Sequence, residues 1–152
     1  MRVSSFSFLG LLLLLPLVTS PTPAIAQGKM EKSLYQRLGG YDAIAAVTDD
    51  FIGRLVTDKS LTRFFGGVST DSKKKIRQHL LDQLCAVCGG PCVYIGRDMK
   101  TAHSGLGITE AEWQAGVNDL LVSLDKFKVS MKEKDELVAL IASTKKDIVE
   151  KP

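Results

Sequence analysis

The stretch Asp71-Ser72-Lys73-Lys74-Lys75-Ile76-Arg77-Gln78-His79-Leu80-Leu81-Asp82-Gln83-Leu84-Cys85-Ala86-Val87-Cys88, closed by Gly89-Gly90-Pro91, decides the class of fold. Ile76, His79, Leu80, Gln83, Leu84 and Val87 recur at three- and four-residue steps. A helix therefore places them on one side, with Lys73, Lys74, Lys75 and Arg77 mostly opposite. Asp71 is the expected N-cap, because its carboxylate can take an unpaired amide of the first turn. Two glycines and a proline cannot continue a helix cheaply, so the pattern stops at residue 88.

Working outward, the same period returns on both sides. Residues 33–38 make one or two helical turns, and after Gly39-Gly40 the residues Ile44, Val47, Phe51 and Leu55 share a helix face that ends near Thr57-Asp58. Beyond the glycine-proline stop, a short helical segment around residues 98–103 is broken by Ser104-Gly105-Leu106-Gly107. Thr109 and Glu112 form a capping box for a helix that turns Trp113, Val117, Leu120, Leu121 and Leu124 inward. Ser130 and Glu133 form a second, opening a last helix with Leu137, Leu140, Ile141 and Ile148 toward the core. No segment alternates with period two, so the expected fold is all-α, with five or six helices. Phe64-Phe65 falls on a loop, where an apolar pair needs something to cover it.

The chain has 152 residues, 45% hydrophobic and 24% charged, which excludes disorder, collagen-like repeats and a coiled coil. A net charge of +3 is spread along the sequence without a basic stripe, so no nucleic acid is expected as a partner. Arg2, the apolar run over residues 6–18 and Ala24-Ile25-Ala26 have the three zones of a secretory signal peptide. The expected organisation is a signal peptide over residues 1–26 and one globular domain over 27–152, with no stable membrane insertion after cleavage. An uncleaved anchor is the alternative, but the run is shorter than the ~18–20 residues a bilayer requires and Pro16 interrupts it. Export would carry Cys85, Cys88 and Cys92 into an oxidising compartment. Cys85 with Cys92 is the favoured pair, since Gly89-Gly90-Pro91 lets the chain fold back; Cys85 with Cys88 is the competitor.

The mature chain holds two histidines, His79 and His103. A lone histidine most often satisfies a core or faces solvent. His103 ends a short helix, and the glycines at 105 and 107 together with Phe64-Phe65 suggest room for a large flat apolar ligand. Haem iron takes a neutral imidazole as its proximal ligand, and His79, on another helix, could approach the opposite face. Two histidines at this separation also suit an ordinary helical core. Cys85-Ala86-Val87-Cys88 lacks the second pair of a zinc site, and Gly89 stands where covalent haem attachment needs histidine. No βαβ pattern supports a redox dithiol, and no nucleophile elbow accompanies the serines.

Ser33-Leu34-Tyr35-Gln36-Arg37-Leu38-Gly39-Gly40, Asp50-Phe51, Asp58, Phe64-Phe65, Gly89-Gly90-Pro91, Tyr94 with Gly96-Arg97-Asp98-Met99-Lys100, and His103-Ser104-Gly105-Leu106-Gly107-Ile108 together resemble the truncated haemoglobins of the first, short-chain group. The resemblance runs from residue 33 to about 149. It implies a globin-like two-on-two helical sandwich with haem b (iron protoporphyrin IX) held between the Ile76 helix and the His103 segment. Carried across, His103 resembles the proximal iron ligand. Phe64 and Phe65 resemble the aromatic pair against the porphyrin, Ile76, Leu80 and Met99 its apolar contacts, and Arg97 or Lys100 a propionate partner. The distal side departs from the pattern: Ile52 follows Phe51 where the family usually has a tyrosine that donates to bound oxygen, and Ile76 and Leu80 stand where many members place glutamine. His79 matches a position that ligates iron distally in some members, and Gln83 is a weaker donor one turn on.

The resemblance thus implies a haem globin that binds O2, NO or CO, and the leader over residues 1–26 implies that it is exported, periplasmic or secreted. Conversion of nitric oxide or peroxide would need a reductase, which the sequence does not identify. The alternative is a bis-histidyl haem protein for electron transfer or redox sensing. A third reading is a haem-free helical interaction domain.

Overall fold

A computed structural model of the chain describes residues 31–152. The expected signal peptide over residues 1–26, and the start of the mature chain, lie outside the described residues. The described residues form seven α-helices and one 3-10 turn: α1 (Leu34–Arg37), α2 (Tyr41–Leu55), the turn Thr62–Phe64, α3 (Thr70–Val87), α4 (Met99–His103), α5 (Glu110–Lys126), α6 (Met131–Ala142) and α7 (Lys145–Ile148). Thr109 and Lys151 make one isolated parallel bridge, and no strand occurs among the described residues.

Local signals account for most helix starts. The Ser33 hydroxyl accepts the Gln36 amide while Gln36 reaches back to the Ser33 amide, a reciprocal cap that holds the four-residue α1. Thr109 and Glu112 do the same for α5. The start of α3 differs from the sequence expectation: Ser69, in extended conformation, is the N-cap and accepts the Ser72 amide, so Asp71 lies inside the first turn. Ser130 caps α6 without a side-chain bond to the backbone. Its hydroxyl donates to Glu133 instead, and Glu133 also accepts from Arg37 Nε at 3.2 Å, so the expected capping box gives way to a link between α1 and α6. The expected last helix is two helices, because Ser143 and Thr144 bond back to the carbonyls of Leu140 and Ile141 and the chain turns there.

α2 packs on α3 and on α5, and α5 on α6, with α1 laid on α6. This arrangement of helix pairs is the two-on-two sandwich, with its core built on Ile44, Val47, Leu81, Leu84, Leu120 and Leu124. An apolar cavity of about 130 Å³ lies in this core, lined in part by Leu38, Ile44, Val47, Cys88, Leu124 and Leu137.

The buried face of α3 is Leu81, Leu84, Cys85 and Cys88. That face is centred roughly a third of a turn from the expected stripe of Ile76, His79, Leu80, Gln83, Leu84 and Val87, and the two share Leu84. The expectation that Ile76 points inward is corrected: it is 39% exposed, whereas Leu81 is 1% exposed. α3 has two adjacent apolar faces: one is fully buried, and of the other Leu80 and Val87 still pack at the edge of the core while Ile76 is exposed.

Cys85 and Cys92 are joined in a disulfide with their Cα atoms 5.7 Å apart, and Cys88 is a buried thiol. Gly90 makes the reversal between them possible. A Cβ on Gly90 would sit 2.5 Å from the Tyr35 ring, 2.7 Å from Cys85 Sγ and 2.8 Å from the Cys85 carbonyl. The backbone of the turn therefore lies directly on the bridge and on α1, and the Tyr35 amide donates to the Cys88 carbonyl at 2.7 Å.

Candidate functional site

His103 is the last residue of α4, a single helical turn started by Asp98, whose carboxylate accepts the Thr101 amide at 2.9 Å and the Thr101 hydroxyl at 2.7 Å. These bonds hold the Asp98 carboxyl below its usual range. The His103 ring is half-buried, and its Nδ1 lies 2.8 Å from the Met99 carbonyl oxygen. A carbonyl oxygen only accepts, so Nδ1 carries the proton and Nε2 of the neutral ring keeps its lone pair. A ring nitrogen oriented in this way by a backbone carbonyl is the usual preparation of a histidine for a metal.

The loop behind His103 is tied on two sides. Arg63, from the 3-10 turn, donates to the carbonyls of Leu106 at 3.1 Å and Gly107 at 3.0 Å, and its guanidinium lies 4.0 Å over the Phe64 ring. Arg63 is fixed in turn by Glu112, which accepts from Nε at 2.6 Å; that pairing, with the bonds from Thr109, lowers the Glu112 carboxyl to about 2. On the other side, the Glu150 carboxylate accepts the amides of Gly105 at 2.7 Å and Gly107 at 2.5 Å. Sequence reasoning missed Arg63 and Glu150, and it read Glu112 only as a helix cap. The contacts of Arg63 and Glu150 to the loop span dozens of residues and obey no periodicity. Of the Phe64-Phe65 pair, which it did find, Phe64 lies under the same Arg63 guanidinium that bonds the loop, and both rings are half-buried.

His79 stands half-buried on α3. Its Nδ1 is buried and has no hydrogen-bond partner among the described residues. The ring meets Tyr94 edge-on, with centroids 6.0 Å apart, and the Tyr94 hydroxyl donates to the Arg97 carbonyl at 2.6 Å. This contact joins α3 to the segment leading into α4. Leu80 and Gln83 are half-buried on α3, Phe51 and Ile52 on α2, and Met99 on α4. Arg97 and Lys100 are exposed and form no ion pair among the described residues, while Val93 and Ile95 are 75% and 79% exposed.

These residues fit a flat apolar group ligated by imidazole. The Nε2 lone pair of His103 supplies the ligand, the orphaned nitrogen of His79 a second polar atom without a protein partner, and Phe64, Phe65, Ile76 and Leu80 apolar surface that the helices leave partly uncovered. No cluster of histidine, cysteine and carboxylate able to hold a bare metal ion occurs among the described residues.

The profile of the family described as bacterial-like globin matches residues 33–150. A group 1 truncated hemoglobin from Chlamydomonas moewusii is 33% identical over 136 residues, covering 88% of this chain and 77% of that protein. One from Mycolicibacterium paratuberculosis is 30% identical over 110 residues, covering 72% and 79%. Among solved structures, the Fe(III) form of truncated hemoglobin from Tetrahymena pyriformis superposes with a TM-score of 0.72 at 27% identity, covering 78% of this chain and 98% of that one. The Synechococcus 2/2 hemoglobin, in its cyanomet state with covalently attached heme, gives 0.70 at 28% identity with the same coverage. The chain belongs to the group 1 truncated haemoglobins, bacterial-like globins whose cofactor is haem b.

Proposed function

We propose that this globin acts outside the cytoplasm, holding haem b through Nε2 of His103 and taking up O2, NO or CO. The observation that carries the reading is the bond from His103 Nδ1 to the Met99 carbonyl, which fixes the ring tautomer and leaves Nε2 as the ligand. Haem held by His103 would supply an iron able to bind a diatomic gas. Phe64, Phe65, Ile76, Leu80 and Met99 would pack the porphyrin and keep water from it, and Arg97 would pair with a propionate. On the distal side Phe51 and Ile52 are apolar, and His79 and Gln83 are the donors. Reducing equivalents for any turnover come from a partner reductase.

Export is supported by the three-zone leader of residues 1–26 and by the Cys85–Cys92 bridge, a linkage of oxidising compartments. The protein is periplasmic or secreted and begins at Gln27. N-terminal sequencing of the exported protein gives Gln27; a chain still starting at Met1 refutes the reading.

The haem assignment is tested by absorption spectra of ferric, ferrous and carbonyl forms alongside His103→Ala. That variant loses stable haem uptake, and unchanged retention overturns the assignment. The edge-on contact of His79 with Tyr94, which sets that ring beside the segment leading into α4, favours a second reading, in which both histidines hold the iron and the protein transfers electrons or senses redox state. Sharp, split visible bands in the ferrous protein without added ligand identify that state, and a five-coordinate ferrous band identifies the gas-binding one.

A further inference from the structure

The loop that follows His103 is short, glycine-rich and without helical hydrogen bonds of its own, and Gly105 adopts φ +81°. Left to itself, such a segment has many backbone states open to it, and each would turn the His103 ring differently. Its two glycine amides are instead held by one side chain. Both oxygens of Glu150 are used, one on the Gly105 amide and one on the Gly107 amide, and these bonds keep the Glu150 carboxyl below its usual range.

The carboxylate is itself held in register. The amides of Glu150 and Lys151 donate to the Ile108 carbonyl at 2.8 and 3.2 Å, and the Lys151 carbonyl accepts the Glu110 amide at 3.2 Å. The preceding helix, α7, packs directly on α4. Arg63 takes the two carbonyls of the same loop from the other side, so amides and carbonyls are gripped by opposite charges. The Leu106 amide donates to the His103 carbonyl at 3.1 Å, which passes the constraint to the histidine.

We propose that Glu150 is a positioning residue for the axial imidazole: by bridging the amides of Gly105 and Gly107 it fixes the direction in which His103 presents Nε2. The inference rests on the reading of His103 as the iron ligand. The orientation of an axial histidine, set by groups that never touch the metal, is one of the levers a protein has over haem.

The test reads the iron–imidazole stretching band by resonance Raman in the ferrous, haem-loaded protein. Glu150→Ala shifts and broadens this band. Glu150→Gln, which keeps one acceptor oxygen but sets an NH2 group against the second amide, falls between. In haem-free protein, hydrogen exchange at the Gly105 and Gly107 amides rises roughly tenfold or more in Glu150→Ala, as expected for loss of a charge-assisted bond.

His103→Gly loaded with haem and supplied with imidazole separates the two ideas, since its ligand is no longer tethered to the loop. Glu150→Ala leaves the band unchanged in that background. A wild-type band in Glu150→Ala and Glu150→Gln, with His103 still ligating, overturns the positioning role and leaves the ligand assignment standing. A wild-type band in His103→Gly without imidazole overturns the ligand assignment itself. Should Glu150→Ala fail to fold, the Glu150→Gln band decides.

Discussion

The Cys85–Cys92 bridge closes a loop with a sequence separation of 7. Closure of so short a loop removes chain entropy from the unfolded state worth about 2.5 kcal/mol at 25 °C. For a domain of this size that is roughly 10 °C in melting temperature. The clean perturbation is Cys92→Ser, because Cys92 is half-buried whereas Cys85 has no exposed surface. A serine at 85 would add the cost of a hydroxyl buried among apolar atoms, about 1–3 kcal/mol more. Cys88 should not scramble the result, since burial pushes its thiol up to about 11 and leaves it protonated near neutral pH. A Cys88→Ala background removes the question altogether. The assay is thermal unfolding of haem-free protein by circular dichroism, with and without a thiol reductant. Wild type melts near the Cys92→Ser variant once reduced and about 10 °C above it when oxidised, while the variant ignores the reductant and Cys85→Ser melts lowest. A wild-type melting temperature indifferent to reductant would refute the entropic reasoning, and equal losses in the two serine variants would refute the added cost of a buried hydroxyl at position 85.

Leu81→Ala should cost about 3–5 kcal/mol, read as a fall in the urea midpoint at constant slope, because the side chain is fully enclosed at the α2–α3 contact. Asp50 sits at about 2 instead of 3.8, held down first by the Lys126 ammonium and then by the Arg54 guanidinium. A carboxyl lower in the folded than in the unfolded state stabilises above the unfolded value and loses that contribution as pH falls from about 4 to about 2. Asp50→Asn should therefore lower the melting temperature at pH 6 and match wild type by pH 2, in a melting series across that range. His79→Leu keeps haem and speeds carbon monoxide association if His79 holds the sixth position; an unchanged rate in stopped flow removes it from the iron.

Most helices were legible because their apolar residues keep the 3.6 period and their caps are local. Thr109 and Glu112 lie three residues apart, so the capping box was visible without any tertiary knowledge. Where a distant partner competes, the local rule fails: Glu133 serves Arg37, 96 residues away, and Ser130 caps no backbone amide. The split between α6 and α7 was hidden because hydroxyls of Ser143 and Thr144 make it, with no glycine or proline to mark it. In the site, His103 and Phe64-Phe65 stood out as a rare residue and an apolar pair in a loop. Arg63 and Glu150 look like ordinary surface charges until the fold sets them on the carbonyls and amides of one loop. The face of α3 was misjudged because periodicity reports that a side is apolar and not what it meets.

That last point bears on how such a chain can change over generations. α3 is a common wall: one flank seals the interior and the adjoining flank carries Ile76, His79, Leu80 and Gln83. A rigid rod cannot turn one flank without turning the other, so a substitution that repacks Leu81 or Leu84 also re-aims His79. Were His79 to act at the haem as proposed, robustness and ligand preference would be coupled traits, and selection for one would drag the other with it.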